Sequence, residues 1–273
     1  MSETRRPLLQ IRRLCKTFRQ RQNGWGNQTG ETFAVQNVSF DILQGETFAL
    51  VGESGSGKTT LGRCLLKFIP ADRGSVFYDG VDLLQISERR FRPYRRQFQM
   101  IFQNPAQALN PRQKVSACLA EPLKVHTNLS KIEILAHVQA LFNLVGLDVK
   151  IAARFPAELS GGQQQRVAIA RALAMEPTFL IADEPTASLD AAHKRQLIEL
   201  LDNLKKQLGL TLLLITHDLA LAAATADRIG VMYHGQLVEI APTQQLFDDP
   251  AHTYSRILVD AARVFNHRSM EIE

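Results

Sequence analysis

Apolar and polar positions along the chain sort it into short strands and helices. Residues 8–18 alternate well enough for a strand, and a Gly/Gln/Asn-rich stretch over roughly 20–31 follows as an exposed loop. Alternation resumes at Phe33, Val35, Val38, Phe40 and Ile42, and Gly45-Glu46 makes a turn into the apolar run Phe48–Val51. A helical spacing comes next (Leu61, Leu65, Leu66, Ile69), broken by Pro70–Gly74. Ser75–Gly80 reads as a hairpin arm ending at Asp79-Gly80, and Gln97–Gln103 as another strand, stopped by Asn104-Pro105.

From there to about Phe155 the period is helical, with Leu119, Leu123, Ile134, Leu135, Val138, Leu141, Phe142 and Val145 as its apolar positions. Pro105, Pro111, Pro122 and Pro156 are expected to separate short helices in this block. A helix with an alanine-rich face runs to Met175, and Pro177 stops it. Thr178–Ala182 is a fully apolar strand ending in Asp183-Glu184. A helix over about 191–208, the strand Leu210–Thr216, a further helix and the strands Arg228–Tyr233 and Gln236–Ile240 complete the core, with His234-Gly235 as the last turn. The tail from Pro242 is helical in period (Leu246, Phe247; Ile257, Leu258, Val264). Strand–helix alternation through 178–233 predicts a parallel sheet with right-handed crossovers, so the class is α/β with an antiparallel sheet near the N-terminus.

At 273 residues the chain suits one large α/β domain or two smaller units, and 45% hydrophobic with 22% charged residues is globular composition. No apolar run approaches the ~20 residues that span a bilayer. Met1–Arg6 leads into no apolar signal segment, which gives no reason to expect export. Cys15, Cys64 and Cys118 match no metal or redox spacing, as suits a reducing cytosol. The net charge of +5 is concentrated at Arg89, Arg90, Arg92, Arg95 and Arg96, around Phe91 and Tyr94. That spacing suits one solvated helix face or a short loop. No second basic tract or reading module accompanies it, so nucleic acid is not an expected partner.

The chemistry begins at Gly52-Glu53-Ser54-Gly55-Ser56-Gly57-Lys58-Thr59-Thr60, which fills every fixed place of G-x-x-x-x-G-K-[ST] between a strand and a helix. Glycines let the backbone turn its N–H groups inward as an anion nest, and the helix start adds further donors and a positive dipole end. Lys58 supplies a mobile charge for outer phosphates, and the Thr59 hydroxyl suits Mg²⁺. Ligands of parallel sheets sit at the carboxyl ends of strands, where Gln103, Asp183-Glu184 and His217 also fall. Asp183 is placed to hold Mg²⁺, Glu184 to polarise a water, Gln103 to bind metal or water, and His217 to reach a γ-phosphate. Leu159-Ser160-Gly161-Gly162-Gln163 is a second serine-glycine loop opening a helix. One nucleotide does not need two such loops from one chain, so the second is expected to face the nucleotide of another subunit in a two-fold arrangement.

These motifs, in this order, resemble the nucleotide-binding subunit of an ABC transporter over nearly the whole chain. Gly52–Thr60 is similar to the Walker A motif, Gln103 to the Q-loop glutamine, Leu159–Gln163 to the signature sequence and Phe179–Glu184 to Walker B. Ser188-Leu189-Asp190 resembles the D-loop, and His217 the switch histidine. The resemblance implies a P-loop ATPase fold with a RecA-like parallel core, an N-terminal antiparallel β subdomain and a helical insertion over about 104–158. Residues 1–241 would form the ATP-binding domain, and 242–273 a short helical extension. It further implies head-to-tail closure of two subunits over two ATP molecules. Lys58 and the loop amides would hold phosphates, with Thr59, Gln103 and Asp183 around Mg²⁺, Glu184 as general base and His217 on the γ-phosphate. Ser160 and Gly162 would come from the partner, Asp190 would link the sites, and Phe18 would stack on adenine in place of the family's more usual tyrosine.

Leu109-Asn110-Pro111-Arg112 and Asp249-Pro250-Ala251-His252-Thr253-Tyr254 resemble the peptide/nickel importer branch, as do Gly52-Glu53-Ser54 and Val231-Met232-Tyr233. No cysteine cluster follows Tyr254, and the short tail is similar to that of the second ATPase of oligopeptide systems. The implied partners are a second ATPase subunit, two membrane permeases and, indirectly, a solute-binding protein, with the chain peripheral at the cytoplasmic membrane face. Nickel or another small solute is the alternative cargo. A soluble ABC-type ATPase acting on nucleic acid or ribosomes is the alternative function, and the single cassette lacks the coiled coil or zinc insertions of such proteins.

Overall fold

The computed structural model describes residues 6–21, 29–187 and 189–270. Its elements run β1 (Pro7–Arg21), β2 (Thr29–Leu43), β3 (Thr47–Val51), α1 (Lys58–Leu65), β4 (Arg73–Tyr78), β5 (Val81–Asp82), α2 (Glu88–Phe91), α3 (Tyr94–Gln97) and β6 (Phe98–Ile101). They continue as α4 (Val115–His126), α5 (Lys131–Leu144), α6 (Gly161–Leu173), β7 (Phe179–Asp183), α7 (Ala191–Leu208) and β8 (Thr211–Thr216). The last are α8 (Leu219–Thr225), β9 (Arg228–Tyr233), β10 (Gln236–Pro242), α9 (Thr243–Asp248) and α10 (Thr253–Met270). Three short 3-10 turns start at Pro105, Val149 and Pro156. Among the described residues no helix is long and apolar enough to cross a membrane.

The chain forms two compact units, one of residues 1–91 with 213–273 and the other of 92–212. The first unit holds an antiparallel sheet in the order β2-β1-β4-β5. It pairs Ile11 with Phe40 and Leu14 with Val38, and the register slips between Ile11 and Leu14 and again between Leu14 and Lys16. Arg13 and Asn37 sit at these slips with φ of 47° and 50°. Each extra residue resets the two-residue period, so the buried set runs Leu9, Ile11, Leu14 on β1 and Val35, Val38, Phe40, Ile42 on β2. Phe33 departs from the expected alternation: the register slips once more between Val35 and Phe33, opposite Lys16 and Thr17, and Phe33 is 55% exposed. The loop expected over 20–31 is shorter than its composition suggests, because Gln20 pairs with Gly30 and Arg21 with Thr29. Ladder pairing overrides the local Gly/Gln bias there; the rest of that loop, 22–28, lies outside the described residues.

In the same unit β3 runs parallel to β9, with Val51 opposite Val231, and β9 returns antiparallel through β10. Every residue of β3 is buried, and Phe48 stacks on Phe40 at 5.0 Å. Glu46 is buried at the entry to β3; its carboxylate accepts from Leu43 N–H and from Arg228, which spares it an unpaired charge. Burial nonetheless raises its pKa. The hairpin turn Asp79-Gly80 is as expected, both residues having positive φ (52° and 77°).

The second unit pairs β6 and β7 in parallel, Ile101 opposite Ala182. Its helices α4, α5 and α6 bury Val115, Leu119, Leu123, Val138, Phe142, Val167 and Ile169. Ser130 opens α5 with a capping box to Glu133, and the Arg166 guanidinium donates to Val145 O where α5 ends. Two expectations fail here. Pro122 does not break a helix but sits inside α4, whose buried face supplies the packing that offsets a lost backbone hydrogen bond. Leu135, one of the apolar positions of the helical period, is 69% exposed, since α5 turns only Ile134, Val138, Leu141 and Phe142 inward.

Candidate nucleotide site

The loop after β3 is shaped by two close approaches. A Cβ at Gly52 would lie 2.1 Å from Met232 O, and one at Gly57 only 1.9 Å from Ala34 O. Both positions also have positive φ, so the backbone can run here only without side chains. Glu53, Ser54 and Gly55 face solvent, Ser56 is buried, and Thr59 and Thr60 are half-buried. Lys58 is buried, its Nζ donating to Gly52 O (2.8 Å), Glu53 O (2.7 Å) and Ser56 Oγ (3.3 Å). The ammonium thus lies within the curl of the loop. Gly57 begins α1 without any side-chain cap, whereas Ser130, Ser160, Asp190 and Asp218 cap α5, α6, α7 and α8. Such an uncapped start presents its first N–H groups and dipole end to an anion, so the loop fits a phosphate chain.

Phe18 is 42% exposed and lines a cavity of about 750 Å³ with Cys15, Phe33, Asn37, Asp72 and Arg73. Lys16 Nζ stands 5.5 Å from the Phe18 ring and pairs with Asp72 at 2.9 Å, while Asp72 also accepts from Thr17 N–H. The hydrogen bond from Lys16 is the largest cause that lowers the Asp72 pKa. Phe33 directly precedes Ala34, the residue pressed against Gly57, so one strand forms both the cavity wall and the flank of the loop. The sequence pattern placed Phe33 only among the alternating strand positions and gave no signal of this role. His217, also in this unit, is exposed just past β8 beside Asp218, the cap of α8.

The remaining site residues belong to the second unit. Gln103 is exposed two residues beyond β6. Asp183 closes β7 at 2% exposure, and Glu184 follows in a left-handed conformation, φ 48°. That conformation is costly for a residue with a Cβ and redirects its side chain relative to the strand. Ser160 caps α6 reciprocally: its Oγ accepts from Gln163 N–H and Gln163 Oε1 accepts from Ser160 N–H. Ser160 and Gly161 are exposed, and a Cβ at Gly162 would come within 3.3 Å of the His193 ring. His193 Nδ1 in turn lies 2.8 Å from Asp190 Oδ2, and Asp190 also accepts from His193 N–H as the cap of α7. Those contacts hold the Asp190 carboxyl below its usual pKa. The structure therefore brings the second serine-glycine loop and Asp190 together through His193, a link the sequence did not suggest. Ser188 lies outside the described residues.

Tyr254, singled out in the sequence only as the end of the segment 249–254, also reaches this loop. Its hydroxyl oxygen accepts from the Glu53 N–H at 3.1 Å, inside the loop after β3.

Residues 35–187 match the family model described as ABC transporter. Over 262 residues the chain is 43% identical to the oligopeptide transport ATP-binding protein OppF of Streptococcus mutans serotype c, covering 96% of this chain and 83% of that one. It is 42% identical over 258 residues to the glutathione import ATP-binding protein GsiA of Salmonella typhimurium, covering 94% of this chain and 41% of GsiA. Among solved structures it resembles the dimeric ATP-binding cassette MJ0796 bound to ADP and phosphate, with a TM-score of 0.75 and 28% identity over 86% of this chain and 98% of that one. It likewise resembles cbiO1 of Clostridium perfringens, TM-score 0.76 and 27% identity over 89% and 91% of the two chains. A cradle built for phosphates, the arrangement of strands around it and these likenesses agree: the chain belongs to the ABC transporter family.

Proposed function

We propose that this chain is the ATP-hydrolysing subunit of an importer and that the cargo is a peptide. The observation that carries the ATP part is the loop itself: two glycines that tolerate no Cβ, an uncapped helix start, and a buried Lys58 inside the curl. The peptide part is supported by the relatives, whose names specify oligopeptide transport and glutathione import, and by the tail segment 249–254.

ATP is the substrate. The loop amides and Lys58 bind its phosphates, and Phe18 with Phe33 offers an apolar wall for the base. Thr59, Gln103 and Asp183 would each supply oxygen, the hard ligand Mg²⁺ takes, and Asp183 is a buried carboxylate at a strand end. Bound Mg²⁺ would neutralise charge on the terminal phosphates. Glu184 accepts the proton of the attacking water, and His217 donates to the γ-phosphate. Ser160 and Gly162 act on the nucleotide of a second ATPase subunit, which accounts for the exposure of Ser160, and Asp190 links the two sites. Two permeases and a solute-binding protein complete the system. The chain is then peripheral at the cytoplasmic membrane face, with the helical block over about 104–158 docking on the permeases and 242–273 as a C-terminal extension.

The test is Glu184→Gln. It should retain ATP binding while slowing hydrolysis by ~10²–10⁴, the scale of a general base, or about 3–5.5 kcal/mol of barrier. Near-normal turnover would refute the assignment. Co-purification of the full chain with nucleic acid in place of two multi-span membrane subunits would refute the transport role.

A further inference from the structure

The tail segment Asp249–Tyr254 has no part in the chemistry above, yet the structure ties it to the phosphate loop. Glu239 on β10 accepts from the N–H groups of Ala251 (2.8 Å) and His252 (2.9 Å), which fixes the turn between α9 and α10. His252 Nδ1 accepts from Tyr254 N–H at 3.1 Å and so caps α10, and Arg256 Nε donates to Pro250 O at 2.8 Å. The turn is therefore held at four points, and it delivers Tyr254 in one orientation. The Tyr254 ring packs on Tyr233, the last residue of β9, with centroids 4.1 Å apart, and the side chain is 7% exposed. Its hydroxyl meets Glu53 N–H across 201 residues of sequence.

The peptide groups around Glu53 are thereby gripped from both sides. Lys58 Nζ holds Gly52 O and Glu53 O from within, and Tyr254 holds Glu53 N–H from without. The far side of the loop is fixed by Gly235 N–H, which donates to Ser56 O at 3.0 Å from the turn that follows Tyr233. Tyr233 and Gly235 flank one turn, so the loop rests on the β9–β10 hairpin at Ser56 and on the tyrosine stacked against that hairpin at Glu53. Burial, with a contribution from the Glu53 carboxyl group, raises the Tyr254 pKa, and the phenol stays protonated at neutral pH. A Lys58 drawn toward phosphate would give up its contacts to Gly52 O and Glu53 O, leaving the outer contacts to hold these peptides.

We propose that Tyr254 is a positioning residue for nucleotide binding: through the Glu53 peptide, the docked tail sets the loop in its phosphate-accepting form. The inference rests on the nucleotide assignment above. It predicts that the tail governs affinity for ATP and leaves the chemical step alone, because no reacting group touches the phenol.

The experiment compares the full chain with Tyr254→Phe, which keeps the stack on Tyr233 and removes only the oxygen. Affinity for Mg·ATP is measured by titration calorimetry, KM and kcat by phosphate release, and folding by thermal melting without nucleotide. Losing one hydrogen bond to a neutral amide should raise Kd and KM about 3- to 10-fold, with kcat within about twofold and the nucleotide-free melting temperature nearly unchanged. Glu239→Gln, which weakens the clamp on the tail, should shift Kd and KM in the same direction by less. Wild-type Kd and KM in Tyr254→Phe would overturn the inference and leave the nucleotide assignment intact, as would a loss confined to kcat or to melting temperature. Failure of the unsubstituted chain to bind Mg·ATP would refute the nucleotide assignment, and the inference with it.

Discussion

Two alanine substitutions in the same loop separate backbone conformation from steric exclusion. Gly55 and Gly57 both have positive φ, 83° and 102°. A Cβ at either costs about 1–2 kcal/mol from crowding against its own carbonyl, offset by ~0.4–1 kcal/mol from a stiffer unfolded chain. At Gly55 nothing lies within 4 Å of the new carbon. At Gly57 the carbon would lie 1.9 Å from Ala34 O and 3.1 Å from Ala34 C, both backbone atoms, so β2 or the loop must move by more than 1 Å to reach the 3.0 Å that real contacts respect. Forced packing of that kind costs about 1–3 kcal/mol. In a chain of this size 1 kcal/mol moves the melting temperature by roughly 2–4 °C. Gly57→Ala should therefore melt roughly 2–12 °C below Gly55→Ala. Circular dichroism melts at 222 nm without nucleotide measure this directly. Equal melting temperatures for the two variants would refute the steric argument, and with it the description of Gly57 as wedged against β2.

Ser160→Arg should leave ATP binding by the single chain intact and abolish ATP-dependent dimerisation. Sedimentation of an ATP-loaded Glu184→Gln form, with and without the arginine, checks this, and unchanged association counts against a shared site. Asp72→Asn should lower thermal stability at pH 7, because Lys16 depresses the folded-state pKa of Asp72. A depressed carboxyl pKa contributes stability that is present above the unfolded value of about 3.9 and is lost as pH falls through the folded value. The gap between variant and parent should accordingly shrink in melts taken below about pH 4; a gap that widens there contradicts the Lys16–Asp72 pairing.

Much of the site was legible before the fold, and the reason is chemical. A phosphate loop needs glycines, a lysine and a hydroxyl at fixed spacing next to a strand, so Gly52–Thr60 announces itself locally. Asp183 and His217 stand out because a polar residue ends a wholly apolar strand run in each case, and the structure places them at or just past the ends of β7 and β8. The strand Arg228–Tyr233, the strand expected at Gln236–Ile240 (observed to run to Pro242) and the helix over about 191–208 were visible for the same reason: their period or apolar density survives without tertiary context.

What the sequence by itself determined, then, is the inventory of motifs and their order between strands and helices, since each rests on residues close together along the chain. Tertiary structure decided the rest. The slips at Arg13 and Asn37, with a further one between Val35 and Phe33, set which β1 and β2 residues face inward, and a slip depends on the partner strand, which no single stretch encodes. Packing kept Pro122 within α4, and the depth of burial around α5 left Leu135 outside. His193 could join Asp190 to Gly162 only once α7 had packed beside the start of α6. Tyr254 reached Glu53 by the same logic: long-range contacts follow from how elements close on one another, and the chain's local pattern carries no record of them.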